Sequence, residues 1–538
     1  MPQVERRLEP DSCPERKPFG SVSRTSLCSS PAIDNTDSYR PRNPQESVLY
    51  HTVARNLETF LARQQERGRN VPQFVERELR AFLECGVLAC GFLRLRCPSC
   101  GQDKLLPLSC KGRAICPSCC GRRMADTAAH LVDRVFPHVP VRQWVLSLPF
   151  ALRYRLAYDA QMTTAVLQVF IRVLFGLYRR LARDYGLDQT QCGAVTFIQR
   201  FGSAANLHVH FHVLAIDGVY APGLDGKPEF FPLRPPENAE VADLAQVLAQ
   251  RVGALLKRRG GDPQRSDTED SDRLTRDQPW LADVYAASVC GRLATGPNAG
   301  RHVAVAGDRV DPEAIDSRSS PRCASVAGFS LHANVAISAQ DRLRLERLCR
   351  YAARPAVAAD RLEALPNGRL RYWFKTPWRD GTTHAIFEPL EFIEKLCALV
   401  PTPRAHTVRY HGILGPAAKW RELIVPNNAT TAAAPESENG FASSPASSGA
   451  DPPDRSEESK ASSAAERHPR NYVWSELMKR VFAADVLTCD RCGGMLRILA
   501  TIRPPETTRK ILDHLGLPSR PPPLAPAASS QELPFAFE

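Results

Sequence analysis

The chain has 538 residues, a formal net charge of +12 and a hydrophobic content of 43 %. That length exceeds what one core supports, so roughly two to four domains are expected. The charge favours a polyanionic partner, and the lack of any run of about eighteen apolar residues argues against a membrane span.

The opening Met-Pro-Gln-Val-Glu-Arg-Arg carries no apolar segment suited to a secretory signal. The 17 cysteines are clustered, with six between Cys97 and Cys120, and such clusters are therefore expected to be metal sites rather than disulfides; Cys13, Cys28, Cys192, Cys290, Cys323, Cys349 and Cys397 are scattered and read as structural or incidental. Residues 1–45 are polar and Pro/Ser-rich, which predicts disorder. Residues 46–95 read as helical, with Phe74, Leu79, Phe82 and Leu83 in the core. Two motifs follow, Cys97-Pro-Ser-Cys100 and Cys116-Pro-Ser-Cys119, separated by fifteen residues. This spacing predicts a zinc ribbon, in which two tight turns each give two thiolates to one tetrahedral ion. Cys85, Cys90, Cys110 and Cys120 are alternates or parts of a second site. Lys104, Lys111, Arg113 and Arg122-Arg123 give this region a basic face, which is either simply solvated or grips a DNA backbone. Residues 46–130 are read as one helical, zinc-ribbon, DNA-binding domain.

Val141 to Leu148 is strand-like, and residues 159–184 have helical periodicity. A hairpin spans Val195 to Tyr220. A helix is expected over 238–259, and a polar, irregular insertion over 262–325. Phe329 to Ile337 reads as a strand, 340–353 as a helix, 369–375 and 382–388 as strands, and 389–399 as a helix. This mixture predicts an α+β fold over 140–425. Residues 427–470 are Ala/Ser/Pro/Glu-rich and read as a flexible linker. Residues 471–515 form a small module containing Cys489-Asp-Arg-Cys492-Gly-Gly. One Cys-x-x-Cys pair alone is incomplete, so a degenerate knuckle is expected there rather than a second zinc. The tail over 516–538 is Pro-rich and expected to be mobile.

The chemistry concentrates in the hairpin. Side chains two apart on a strand share a face, so His210 and His212 project together, and neighbouring imidazoles on a rigid sheet can hold a divalent metal. If Gly202 pairs with Leu207 across a four-residue turn, Gln199 falls opposite His210 and becomes a candidate third ligand. His208 lies on the same face and competes for that role.

The helix over 340–353 carries a tyrosine that reads either as a hydroxyl nucleophile or as a partly exposed tyrosine on a basic helix. Leu345, Leu348, Cys349 and Ala352 form its apolar stripe. Tyr351 falls outside the stripe, among Arg344, Arg347, Arg350 and Arg354, whose guanidinium groups can hold phosphate oxygens. Pro355 stops the helix.

Four segments, in this order, make the chain resemble the rolling-circle transposases of the IS91 type, which carry an HUH nuclease. They are Ser109-Cys-Lys-Gly-Arg-Ala-Ile-Cys-Pro-Ser-Cys119, Gln199 through Tyr220, Leu345 through Pro355 with Arg361-Leu362, and Val408-Arg-Tyr-His-Gly-Ile-Leu-Gly-Pro416. The resemblance covers most of residues 70–425 and the module at 471–515. It implies an antiparallel sheet flanked by helices, with His210 and His212 as metal ligands on a central strand and Tyr351 as nucleophile. It implies structural Zn²⁺, and Mg²⁺ or Mn²⁺ for catalysis. The activity implied is nicking and rejoining of single-stranded DNA at transposon ends and in target DNA, in the bacterial cytoplasm at the nucleoid, with host replication or helicase proteins and further protomers as possible partners. Two departures are visible. Arg347 stands where some members have a second tyrosine, so this is a single-tyrosine chain, and His208 stands where members often have Asn. Rival readings are a plasmid-type replication initiator or relaxase, and a non-catalytic zinc-dependent DNA-binding protein.

Overall fold

Leu207–Ile216, the strand that carries the histidines, lies third in a six-stranded sheet. The spatial order is Val408–Gly412, Gly193–Phe201, Leu207–Ile216, Val141–Ser147, Phe329–Ile337 and Cys323–Val326, with every neighbouring pair antiparallel. The computed structural model describes residues 43–259, 273–307, 321–378, 380–426 and 472–528. Of the disorder expected over 1–45, residues 1–42 lie outside the described residues, and Pro44–Glu46 is a short 3-10 helix with Pro44 buried; the linker over 427–470 and the tail beyond 528 also lie outside the described residues.

Both faces of this sheet are covered, which is why the histidine strand is buried almost throughout. On one face Trp144, Leu146, Val209, Phe211 and Val213 join the larger core, with the helix Ala160–Arg183 among the elements packed there. Asp159 starts that helix by accepting the Met162 N–H at 2.8 Å, a side-chain cap on an otherwise orphan donor. The helix is long and apolar enough to cross a membrane, but 61 % of its apolar window is buried here. On the other face Val141, Val195, Phe197, Leu214 and Ile216 meet the helices Pro117–Arg134 and Arg342–Ala352, which also pack on each other.

A buried ion pair fixes the sheet to its long helix. Arg142 donates to both oxygens of Asp217, at 2.9 and 2.7 Å, and to the Ala333 carbonyl at 3.0 Å. Tyr178 of the long helix donates to Asp217 at 3.2 Å and accepts from the Trp144 indole at 3.2 Å. Bidentate geometry and complete partnering are what make such a buried charge tolerable.

The stretch over 262–325 is less irregular than its polarity suggests. It contains the helix Pro279–Val289, whose Trp280, Leu281 and Tyr285 are buried. The Trp280 indole donates to Gln64 at 2.9 Å, tying this helix to Val48–Glu66. The helix is short and sits between polar flanks, so its periodicity is diluted in a window of ordinary length. The end of the expected helical region also differs: Phe92–Arg96 is a strand, the centre of a three-stranded sheet with Asp103–Pro107 and Arg497–Ile502. The tail is held as far as residue 528, where the Ala528 N–H donates to Thr59 at 3.0 Å and Ala525 to the Ala54 carbonyl at 3.2 Å.

Replacing Asp217 with alanine leaves Arg142 charged and unpaired inside the protein. A loss of about 3–5 kcal/mol of stability is expected, read as a lower denaturant midpoint by circular dichroism. A change below about 1 kcal/mol would show that the pair is dispensable.

Candidate active site and metal centres

Gln199 stands opposite His210, and Ser147 faces His210 from the other side. The turn is not the simple four-residue one: Phe201, not Gly202, pairs with Leu207, and a bulge between Gln199 and Phe201 restores the register. The side chains of His208, His210 and His212 form a row on the face covered by the tyrosine helix. Successive ring centroids are 4.9 and 5.0 Å apart, and the next ring in the row is Tyr351, edge-on to His212 at 5.8 Å.

Gln199 joins this row to the helix. Its amide nitrogen donates to the carbonyls of Tyr351 at 3.2 Å and Ala352 at 2.7 Å, two of the last carbonyls of Arg342–Ala352, which lack intrahelical partners. With the nitrogen so engaged, the amide oxygen points away from those carbonyls, buried and without a hydrogen-bond partner. His208 Nε2 and His212 Nε2 are in the same condition. Buried polar atoms are normally partnered, so this concentration of bare polar atoms marks a place for a bound group. The His210 Nδ1–H donates to the His208 carbonyl at 2.9 Å, which leaves Nε2 as the ligand-bearing nitrogen. The Gln143 amide nitrogen lies 2.8 Å from His212 Nδ1 and donates to it; a half-turn of the amide would bring its oxygen there to accept from Nδ1–H and leave Nε2 deprotonated. Burial pushes His208 down to about 3 and His210 down to about 4, and holds His212 well below the ordinary histidine value. Positive Arg354 adds to this at His210 and His212. All three rings are thus neutral, the form that binds metal. The donor set of two imidazoles and an amide oxygen fits a divalent cation.

Leu345, Leu348, Cys349 and Ala352 are buried, and Tyr351 is half-buried beside them. Of the four arginines singled out by sequence, Arg354 stacks on the Tyr351 ring at 4.5 Å. Arg344 and Arg347 are exposed. Arg350 is held by Glu346 at 2.5 Å. Lys375, which sequence reasoning missed, sits 4.5 Å over the Tyr351 ring. It comes from the loop after Leu370–Trp373, and no spacing rule connects it to residue 351. Tyr410 stands opposite Val195 on Val408–Gly412, packed against the core under Arg421. The Tyr-His-Gly run that contains it is a structural joint. His411 bonds Thr196 at 2.9 Å, and Gly412 has φ +60° with its backbone so close that a Cβ would strike the Cys192 carbonyl.

The cysteines do not assemble as their spacing suggests. Cys116 and Cys119 gather with Cys85 and Cys110, whereas Cys97 and Cys100 gather with Cys489 and Cys492; within each group all sulfurs lie within 4.8 Å. In the first group the sulfur separations are 3.7 Å for Cys85–Cys119, 3.5 Å for Cys110–Cys119 and 3.5 Å for Cys85–Cys116. Tetrahedral zinc with Zn–S near 2.3 Å requires about 3.8 Å between sulfurs, so the set fits the ion. Glu78 shapes the loop, its carboxylate accepting the N–H groups of Arg113 at 2.6 Å and Ala114 at 2.8 Å. The pairing of Cys97–Cys100 with Cys116–Cys119 is thereby corrected. Two adjacent Cys-x-x-Cys turns read as one site, but the first is carried on a strand and the second opens the helix Pro117–Arg134. Each therefore faces a different partner.

Residues 53–148 match a family model described as "Transposase zinc-binding domain", and residues 193–421 match one described as "Putative transposase". The first span holds the Cys85 group, and the second holds Gln199, His210, His212, Tyr351 and Lys375. No curated protein and no solved structure matches the chain. An antiparallel α+β sheet behind a cysteine-rich domain, with these two matches in this order, defines a transposase that carries structural Zn²⁺. The two matches support an IS91-like transposase with the zinc domain at its N-terminal side.

Changing Cys110 to serine should remove one zinc per chain, because three thiolates hold the ion less well than four. Zinc content by plasma mass spectrometry checks this, and an unchanged content would reject Cys110 as a ligand.

Proposed function

We propose that the protein nicks and rejoins single-stranded DNA at the ends of a mobile element through a 5′-phosphotyrosine intermediate, in rolling-circle transposition. One observation carries this reading: the Tyr351 ring lies 5.8 Å from His212, at the end of a buried row of neutral imidazoles, on a helix tied to the same site by Gln199. Nucleophile and ligand set are thus brought together from separate elements of the chain.

The Tyr351 hydroxyl oxygen attacks the scissile phosphorus. The bond from phosphorus to the 3′ oxygen breaks, and the departing oxygen takes a proton to become a free 3′-OH. The phosphotyrosine bond retains the energy of the phosphodiester, so a later 3′-OH can attack it and release tyrosine without a nucleotide cofactor. Arg354 and Lys375, against the tyrosine ring, are placed to hold phosphate oxygens while Tyr351 attacks. Arg344 and Arg347 present further positive charge to the strand. Arg350 is engaged by Glu346 and serves the helix instead. His210, His212 and Gln199 would hold the Mg²⁺ or Mn²⁺, which when bound supplies charge stabilisation at the phosphate. Arg347 occupies the position where a second tyrosine would share this helix face. A second cleavage therefore reuses Tyr351 after release, uses a 3′-OH, or draws on another protomer. DNA at element ends and targets is the partner, with host replication proteins supplying strand separation at the nucleoid of the bacterial cytoplasm.

Tyr351→Phe keeps the ring that Arg354 and Lys375 cover but removes the attacking oxygen. Covalent adduct formation on a single-stranded end oligonucleotide should vanish while binding persists, since phosphate contacts come from many basic residues. Peptide mapping of the wild-type adduct should find the DNA on Tyr351, and a DNA-linked peptide containing Tyr410 would overturn the assignment.

The third ligand can be separated in the same assay. Gln199→Ala should weaken Mn²⁺ affinity at least about 10-fold, and His208→Ala less, because His208 stands at the end of the row away from Tyr351. Titration calorimetry gives the order directly, and the reverse order would make His208 the ligand.

A further inference from the structure

Cys489 and Cys492 lie outside both matched regions, and no ligand role for them follows from the transposase zinc domain. The turn they form is a copy of the one at Cys97. In Cys97-Pro-Ser-Cys100-Gly101, the Gly101 N–H donates to the Cys97 carbonyl at 2.9 Å and the Cys97 N–H to the Gln102 carbonyl at 2.8 Å. In Cys489-Asp-Arg-Cys492-Gly493, the Gly493 N–H donates to the Cys489 carbonyl at 2.9 Å and the Cys489 N–H to the Gly494 carbonyl at 2.8 Å. The glycine after each second cysteine is left-handed, at φ +73° and +72°, which favours glycine there.

The two knuckles face each other. Cys97 Sγ is 3.5 Å from Cys492 Sγ, and Cys100 Sγ is 3.7 Å from Cys489 Sγ. These are too long for a disulfide, which needs about 2.05 Å, and close to the roughly 3.8 Å edge of a zinc–thiolate tetrahedron. The approach is tight: a Cβ on Gly494 would lie 3.2 Å from Cys97 Sγ. The surroundings are built to hold it. Arg497–Ile502 pairs with Phe92–Arg96 over its length, Lys104 bonds Asp490 at 2.8 Å, and Leu95, Cys97, Cys489 and Leu496 share a small core.

We propose that Cys97, Cys100, Cys489 and Cys492 bind a second zinc ion, which fastens residues 472–528 onto the N-terminal zinc domain. Two half-sites nearly 400 residues apart then make one tetrahedral centre, and the N-terminal domain is completed only by the far end of the chain. The fastened segment reaches the tyrosine helix. Arg480 donates to Asp133 of Pro117–Arg134 at 2.8 Å and to Glu346 of Arg342–Ala352 at 2.8 Å. Tyr472 also bonds Asp133 and Asp126. The segment is thus held by metal at one end and spans the zinc domain and the tyrosine helix at the other.

The test is a count of thiolate-bound metal in the full chain. Purified protein is exchanged with Co²⁺, whose thiolate charge-transfer absorption reports sulfur ligands and is not produced by imidazoles, and zinc is measured before exchange. The expected result is two thiolate-bound ions in the wild type. Cys489→Ser/Cys492→Ser should lose one ion and half of the band, and Cys85→Ser/Cys110→Ser should lose the other. One thiolate-bound ion in the wild type, a double variant at 489 and 492 that keeps both ions, or a disulfide among these four cysteines would each overturn the proposal. Should the double variant unfold, the wild-type count decides alone, because two thiolate-bound ions require both four-cysteine groups.

Discussion

A strand covered on both faces leaves its polar side chains no water to bond. Leu207–Ile216 is in that position, and it carries three histidines on one of its faces. Each imidazole nitrogen there must be satisfied by protein or by a bound group, since an unpaired buried acceptor costs about 1–3 kcal/mol. The protein satisfies one side of the row, through the His208 carbonyl and Gln143, and leaves His208 Nε2 and His212 Nε2 bare. The rest of the site follows from that. The neighbouring strand contributes Gln199, whose nitrogen is spent on the tyrosine helix so that its oxygen stays available. The helix that closes the face brings Tyr351 with it. Burial keeps the rings neutral without any partner carboxylate, so ring neutrality and site enclosure come from one cause.

Much of this was legible in the sequence because it rests on short-range rules. Alternation on a strand places His210 beside His212. Helical periodicity separates Tyr351 from Leu345, Leu348, Cys349 and Ala352, and those four are buried as expected. Even the opposition of Gln199 and His210 followed from counting back from a turn, although a bulge and a turn one residue longer compensate to give it. What was not legible is long-range. Lys375 reaches Tyr351 from the loop after Leu370–Trp373, a strand of a separate four-stranded sheet, and Glu346, one turn from Arg350 on the same helix, is also held by Arg480 from the far end of the chain. Trp280 and Tyr285 are core residues inside a stretch whose average composition is polar.

The cysteines show the same limit in sharper form. A Cys-x-x-Cys turn specifies two ligands and a direction, not the other two ligands. Proximity in sequence suggested that Cys97–Cys100 and Cys116–Cys119 complete each other. Backbone geometry decides otherwise. The first pair sits at the end of Phe92–Arg96, and the partner across that strand is Arg497–Ile502, which delivers the knuckle at Cys489. The second pair opens a helix directed at the sheet, and the nearest thiols are those of Cys85, at the end of Gln73–Glu84, and Cys110. The ligand sets are therefore set by strand pairing and helix entry, and the sulfurs follow.

Those two cysteine groups and the tyrosine site are also mechanically continuous. Pro117–Arg134 begins at Cys116–Cys119, and its far end accepts Arg342 of the tyrosine helix through the carbonyls of Val132, Phe136 and Pro137. Arg480 then joins Asp133 near that end to Glu346, which in turn holds Arg350. A guanidinium shared by two carboxylates on two helices fixes their relative position better than either pair alone, because the side-chain entropy is lost only once. Under the proposed mechanism, an ångström of misplacement at Tyr351 would cost about a hundredfold in rate. Under the same mechanism, zinc in the Cys85 group would bear on the reaction through geometry, since the helix Pro117–Arg134 starts at Cys116–Cys119 and packs on the helix that carries Tyr351.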